Sequence, residues 1–215
     1  MKNILLLFTI VFAVIGCQSK VEKISKETVV AVQPFEGFEK SYADTVQMAL
    51  ANLYGIQVKV LDEMKIPAYT FINVKSPRYR ADSLISFLKK NKSYDDYDHV
   101  IGLIKQDISC TKYADFGTRT IKEPEYKYKD WGIFGLGYCP GKSCIVSSYR
   151  LLKSTSKENF MERLKKVSCH EMGHNFGLPH CPNKKCIMQD AAETIKTVDD
   201  VQLFLCADCR KKIGG

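Results

Sequence analysis

The sequence predicts an α/β fold of the α+β kind, a mixed and largely parallel sheet with helices packed on it, and three observations lead there. Through the first half of the chain, β-branched runs alternate with stretches of helical apolar spacing, the order that interleaves strands and helices. Hydrophobic residues make up 45% and charged residues 26% of the 215. That balance excludes a disordered chain or a polytopic membrane protein, and the length suits one domain with one core. In the second half, residues 154–176 keep apolar positions on two parts of a helical circumference, as a helix running through the middle of a fold does.

The chain opens with Lys2, an apolar run from Ile4 to Ile15, then Gly16 and Cys17. This is the pattern of an export signal, and the run is shorter than the roughly 20 residues of a transmembrane helix. Val14-Ile15-Gly16-Cys17 resembles the bacterial lipobox, whose cysteine is acylated. Residues 1–16 are therefore expected to be a signal peptide, 17–26 a polar tether and 27–215 the folded domain. The product would be an exported lipoprotein on the periplasmic or cell-surface side of the envelope, touching membrane only through the lipid on Cys17.

Within the domain, Thr28 to Val32 reads as a first strand that Pro34 stops. Tyr42, Val46, Ala49, Leu50 and Leu53 mark a helix over 38–53, ended by Gly55 and followed by a strand over 56–61. Ala81, Leu84, Ile85 and Leu88 mark a second helix, and a strand follows over 99–104. His99, alone in that strand, is expected to be a core or edge residue and not a ligand. Residues 106–130 are polar and without period, a long connection for a compact domain. Residues 131–138 and 144–151 read as a hairpin around Cys139-Pro140-Gly141-Lys142-Ser143, with Cys139 and Cys144 expected to join across its tip.

A long helix over 154–176 should be capped within Ser154-Thr155-Ser156, with Phe160, Leu164 and Val167 on one stripe and Met161, Cys169, Met172 and Phe176 on another. Val198, Val201 and Leu205 mark a closing helix from about Thr197. The formal charge of +8 comes in short runs, among them Lys89-Lys90-Asn91-Lys92 and Arg210-Lys211-Lys212. They read as solvated helix ends. No stripe of basic and aromatic residues accompanies them, so no nucleic-acid partner is expected, and the protein should be a monomer.

Chemistry concentrates at the end of the long helix. His170 and His174 are four apart, so their imidazoles stand one turn above each other and can share a metal ion. Glu171, beside the first, can reach a water on that metal without being a ligand. Gly177 allows a sharp turn, Pro179 prevents the helix from resuming, and His180 can swing back as third ligand. Three nitrogen ligands, a carboxylate base and an open fourth position make the composition of a catalytic zinc site.

From His170 to Cys181, then Cys186, Met188, Cys206 and Cys209, the spacing resembles the archaemetzincin signature. Trp131-Gly132-Ile133-Phe134-Gly135 and Ser147-Ser148-Tyr149-Arg150-Leu151 resemble the strand pair preceding the active-site helix in that family. The resemblance implies a zincin-like metzincin fold and a zinc metallopeptidase hydrolysing peptide or protein substrates with Glu171 as general base. It also implies Met188 beneath the catalytic zinc, and a second, structural zinc on Cys181, Cys186, Cys206 and Cys209 that staples a small C-terminal subdomain, 178–215, following an N-terminal subdomain, 27–177, with the active-site helix. Cys206 and Cys209, three apart on the expected last helix, suit such a site, and two disulfides among the four are the competing reading. A non-catalytic zinc-stabilised lipoprotein that binds peptides or a partner is the alternative function, and an intact Glu171 speaks against it. Tyr149 is the candidate for a second oxyanion donor.

Overall fold

The computed structural model describes residues 21–115, 118–190 and 194–214. The first half carries β1 (Val29–Pro34), α1 (Lys40–Tyr54), β2 (Gln57–Val60), β3 (Phe71–Asn73), β4 (Pro77–Arg80), α2 (Ala81–Lys90) and β5 (His99–Ile104). The second carries β6 (Ile108–Cys110), the single turn α3 (Glu125–Tyr128), β7 (Trp131–Ile133), β8 (Gly135–Gly137), β9 (Ser143–Ser147), α4 (Lys157–Asn175), α5 (Ile195–Asp200) and α6 (Ala207–Lys212).

The main sheet has the order β2-β1-β5-β9-β8 and is parallel except at β8, which runs antiparallel to β9. Its central strand β5 is buried along its whole length. Helices cover both faces, which a near-parallel sheet requires. On one face α1, α4 and the C-terminal segment share an apolar cluster that includes Leu50, Phe160, Leu164, Met172 and Phe176, and on the other α2 contributes Leu84, Ile85 and Leu88 to a second cluster. At roughly 1.5–3 kcal/mol for each large apolar side chain buried, the double stripe of α4 anchors it more firmly than its helix propensity could. Ser156 caps α4, its side chain accepting from Asn159 N, as the sequence predicts. Leu178, Ile187, Met188, Val198, Val201 and Ile213 join the first cluster, so residues 178–214 share the core of the preceding part of the chain.

Several expectations need correcting. A second sheet, β3-β4-β6-β7, is present, built from three- and four-residue strands too short to show a period of two. Part of the long connection 106–130 supplies β6 and α3. Residues 131–138 do not form one strand: at Phe134 the chain passes from β7, paired with β6, to β8, paired with β9. The hairpin of β8 and β9 is as expected, but Cys139 is exposed, Cys144 is buried in the core and both are free thiols, because the two side chains leave the turn toward solvent and core respectively. The closing helix is two short ones. Thr194 caps α5, which stops at Asp200, and Cys206 is the residue before α6.

His99 is a core residue at 3% exposure, its Nδ1 lying 3.0 Å from the carbonyl of Gly141. From residue 21 the expected tether lies against the domain: Glu22 N donates to Phe176 O at 2.9 Å and Ile24 N to Ile213 O at 3.0 Å. Among the described residues no helix is long and apolar enough to cross a membrane. Cys17 and the lipobox lie outside the described residues.

Candidate active site

Helix α4 ends in a glycine turn that the local sequence dictates. Gly177 has φ +88°, a left-handed value that costs a side chain-bearing residue steric strain. Its N–H donates to His174 O at 2.8 Å, and Leu178 N donates to Gly173 O at 2.9 Å, so the last carbonyls of the helix are satisfied. The reversal brings His180 back over the helix. Ring centroids of His170, His174 and His180 lie 4.6, 4.8 and 5.5 Å apart, and one ligand nitrogen from each lies within 4.8 Å of the others.

The geometry fits a zinc ion. His170 Nδ1 lies 2.8 Å from the carbonyl of Ile187, and His174 Nδ1 2.8 Å from that of Leu178. A carbonyl can only accept, so each Nδ1 carries the proton and each Nε2 is left as a lone-pair donor. Burial pushes His170 down to about 3 and His174 to about 4, which keeps both neutral, as ligation requires. His180 is more exposed, its Nδ1 3.7 Å from Asp190 Oδ2.

Glu171 lies outside the ligand set, against β8 and at the same cleft as the histidines. A Cβ on Gly135 would come within 2.7 Å of Glu171 Cγ, and one on Gly137 within 2.5 Å of Glu171 O. Gly135 must lack a side chain for the carboxylate to lie where it does, and Gly137 for the backbone of α4 to pass so close to β8. Burial raises its pKa to about 8, against a smaller opposing effect of the hydrogen bond from the Gly137 backbone. A cleft of about 260 Å³ opens beside it, lined by the three histidines, Glu171 and mainly apolar groups such as Phe134, Val167 and Ile187. Beneath the helix, Met188 Sδ occupies the space a Cβ on Gly173 would need, and Tyr54 Oη, which donates to Cys169 O at 2.6 Å, lies on the same side.

The four cysteines of the C-terminal segment also converge, their sulfurs all within 4.8 Å of one another. Cys181 Sγ lies 3.7 Å from Cys206 Sγ, and Cys186 Sγ 3.9 Å from Cys209 Sγ. A tetrahedron with zinc–sulfur bonds of ~2.3 Å has edges of about 3.8 Å, whereas a disulfide bond is ~2.05 Å. The spacing thus fits the closed four-sulfur zinc site and none of the cysteines is bridged. The Cys206 N–H aims at Cys186 Sγ at 3.4 Å, and the bond from the Cys209 backbone lowers the Cys206 thiol pKa.

Every expected ligand is therefore brought into one of two clusters, with Glu171 and Met188 beside the first. Tyr149 is not: it is 58% exposed and does not line the cleft. The glycines at 135, 137 and 173 went unassigned in the sequence, although glycine inside a strand pattern signals close approach of another group.

Neutral imidazoles gathered at a cleft, with a carboxylate next to them but outside their set, describe a hydrolytic centre and not a metal store, and the protein is a zinc-dependent peptidase. The model of Peptidase family M54 matches residues 22–214, and the chain belongs to that family. Archaemetzincin of Haloquadratum walsbyi is 32% identical over 171 residues, covering 76% of this chain and 86% of that protein. The crystal structure of archaemetzincin from Methanopyrus kandleri superposes with a TM-score of 0.69 at 27% identity, over 87% of this chain and 94% of that one. The archaemetzincin of Archaeoglobus fulgidus, crystallised with malonate, shares the fold at a TM-score of 0.67 and 22% identity, over 86% and 100% of the two chains.

Proposed function

We propose that the chain carries two zinc ions, a catalytic one on His170, His174 and His180 and a structural one on Cys181, Cys186, Cys206 and Cys209, and that Glu171 is the general base of peptide-bond hydrolysis. Zinc in the first site supplies Lewis acidity that polarises the scissile carbonyl and acidifies a water. Glu171 accepts the proton as the water adds to the carbonyl carbon and gives it to the departing amine. The buried position of the carboxylate supports both halves of that transfer, since a carboxyl with its pKa raised toward neutrality can hold as well as take a proton. Gly135 and Gly137 fix its location, and the carbonyls of Ile187 and Leu178 orient the two helix imidazoles.

The observation that carries the assignment is Glu171 at the cleft beside three converging imidazoles, held by β8 and free of the ligand role. In the test, Glu171→Gln retains two zincs per chain by elemental analysis while peptide cleavage falls by three or more orders of magnitude. Cleavage at the wild-type rate removes Glu171 from the mechanism, and one zinc or none in the wild type removes the two-site reading.

The Ile4–Ile15 run and Val14-Ile15-Gly16-Cys17 support a monomeric exported lipoprotein acylated at Cys17. Mass spectrometry of the mature N-terminus tests it, an unacylated terminus refuting the anchor.

A further inference from the structure

The basic run Arg210-Lys211-Lys212 has no part in the chemistry, and its position in the fold gives it another meaning. It forms the last turn of α6, where all three side chains are exposed. The segment that comes from Cys17 runs alongside it. Ile24 N donates to Ile213 O at 3.0 Å, Lys23 Nζ donates to Lys211 O at 3.2 Å, and a Cβ on Gly214 would touch Lys23 and Ile24. Lys23 is exposed and adds to the same face. The acids nearby are Glu22, 3.2 Å from His99, with Glu27 and Asp208. Cations are therefore in excess where the anchoring segment enters the domain.

Chain length limits how far that face can stand from the anchor. Four peptide units separate Cys17 from Val21, a span of at most about 14 Å. From Glu22 onward the segment is bonded to the domain at both Phe176 and Ile213, so it is not a long loose leash. A basic patch next to a lipid anchor is a common second attachment, and it fixes the attitude in which the anchored domain sits.

We infer that the face formed by Lys23, Arg210, Lys211 and Lys212 is a docking surface for an anionic phospholipid bilayer, the same membrane that would hold the lipid on Cys17. The inference rests on the lipoprotein reading for its geometry and on the arrangement of α6 and residues 21–26 for its charge. Its consequence for function is a peptidase held close to the membrane in a fixed attitude, which restricts it to polypeptides within reach of the bilayer surface.

The test uses the chain from Gln18 onward, so that neither the lipid nor the apolar run Ile4–Ile15 contributes, and co-sedimentation with vesicles of phosphatidylcholine alone or mixed with phosphatidylglycerol. Binding to the anionic vesicles and not to the neutral ones is expected, weakening with salt. At about fivefold per cation removed, Lys211→Gln with Lys212→Gln should weaken it on the order of 25-fold and leave peptide cleavage in solution unchanged. Lys89→Gln with Lys90→Gln, an exposed basic pair at the end of α2, should change it little. Equal binding to both vesicle types, no binding to either, or equal loss in the two double variants overturns the inference. An unacylated mature N-terminus is a separate failure, of the anchor alone.

Discussion

Residues 29–175 and residues 178–214 solve the problem of holding still in different ways. The first is a hydrogen-bonded sheet with helices on both faces, and its position is set by ladders and by apolar burial. In the second, the described helices are six residues each, there is no ladder among the described residues, and burial in the shared core is supplemented by discrete fastenings. Arg163 pairs with Asp199 through two bonds of 2.7 and 2.8 Å, Lys166 donates to the carbonyls of Val198 and Asp199, and the four sulfurs gather around one point. The catalytic ligands are divided between the two, His170 and His174 on the ladder-built side and His180 on the fastened side. A site whose third ligand depends on fastenings should fail when they do, even though the scaffold survives.

The most severe way to break the comparison is to remove a fastening. Structural zinc contributes ~10–16 kcal/mol of apparent binding free energy in small zinc peptides, far beyond what packing gives a short loop. His180 and Cys181 share a peptide bond, and Cys181 N donates to Met188 O at 2.8 Å. Cys209→Ser, which removes a ligand of the cysteine cluster and none of the catalytic site, is therefore expected to weaken catalytic zinc at least tenfold in chelator competition, and Cys181→Ser more so. Unchanged affinity in a variant that has lost the cluster zinc would make the two sites mere neighbours.

A smaller effect comes from the ladder-built side. Gly135→Ala forces Glu171 or β8 to move, and a displacement of about 1 Å in a catalytic group costs on the order of 100-fold. The expected result is a lower kcat with zinc content and thermal midpoint little changed. Loss of zinc as well would show that β8 supports the ligands and not the base alone.

The mildest is a pH effect on the metal-free chain. Glu171 has its folded pKa raised to about 8, so between its ordinary value and 8 the folded chain binds more protons than the unfolded one, and stability falls as pH rises. His170 and His174 are lowered, so their contribution grows as pH rises to about 6.5 and is level beyond it. Between pH 6.5 and 8, then, metal-free wild type should lose up to about 1.4 kcal/mol per pH unit relative to Glu171→Gln in urea titrations. Parallel stability profiles for the two chains would contradict the burial of that carboxyl.

Legibility in the sequence divides along similar lines. The helix of 157–175 shows its period because it is long enough to bury its faces, the strands β1 and β5 show as apolar runs because they are buried on both sides, and the ligands show their spacing because metal coordination imposes it on the chain itself. Strands such as Phe71–Asn73 and Ile108–Cys110 are three residues long and leave no pattern to read. Trp131 to Tyr138 looks continuous because its composition does not register the crossing at Phe134 from one sheet to the other. The glycines beside Glu171 were hidden for a different reason: their role is defined by a residue more than thirty positions away, which local reading does not reach.

The pairing of sulfurs at 3.7 and 3.9 Å carries a consequence for how the protein is made over time. Thiols that near one another are as ready for an oxidant as for a metal, since a shift of less than 2 Å would turn each pair into a bond of ~2.05 Å. In an oxidising compartment, maturation is on the proposed assignment a race. Zinc arriving first takes the sulfurs out of reach of the oxidant, and the loop with His180 then sets in register with the helix. A chain oxidised first keeps all three histidines yet lacks the clasp that aligns the third, so the order of arrival, and not only the amount of metal, decides how many chains become enzyme.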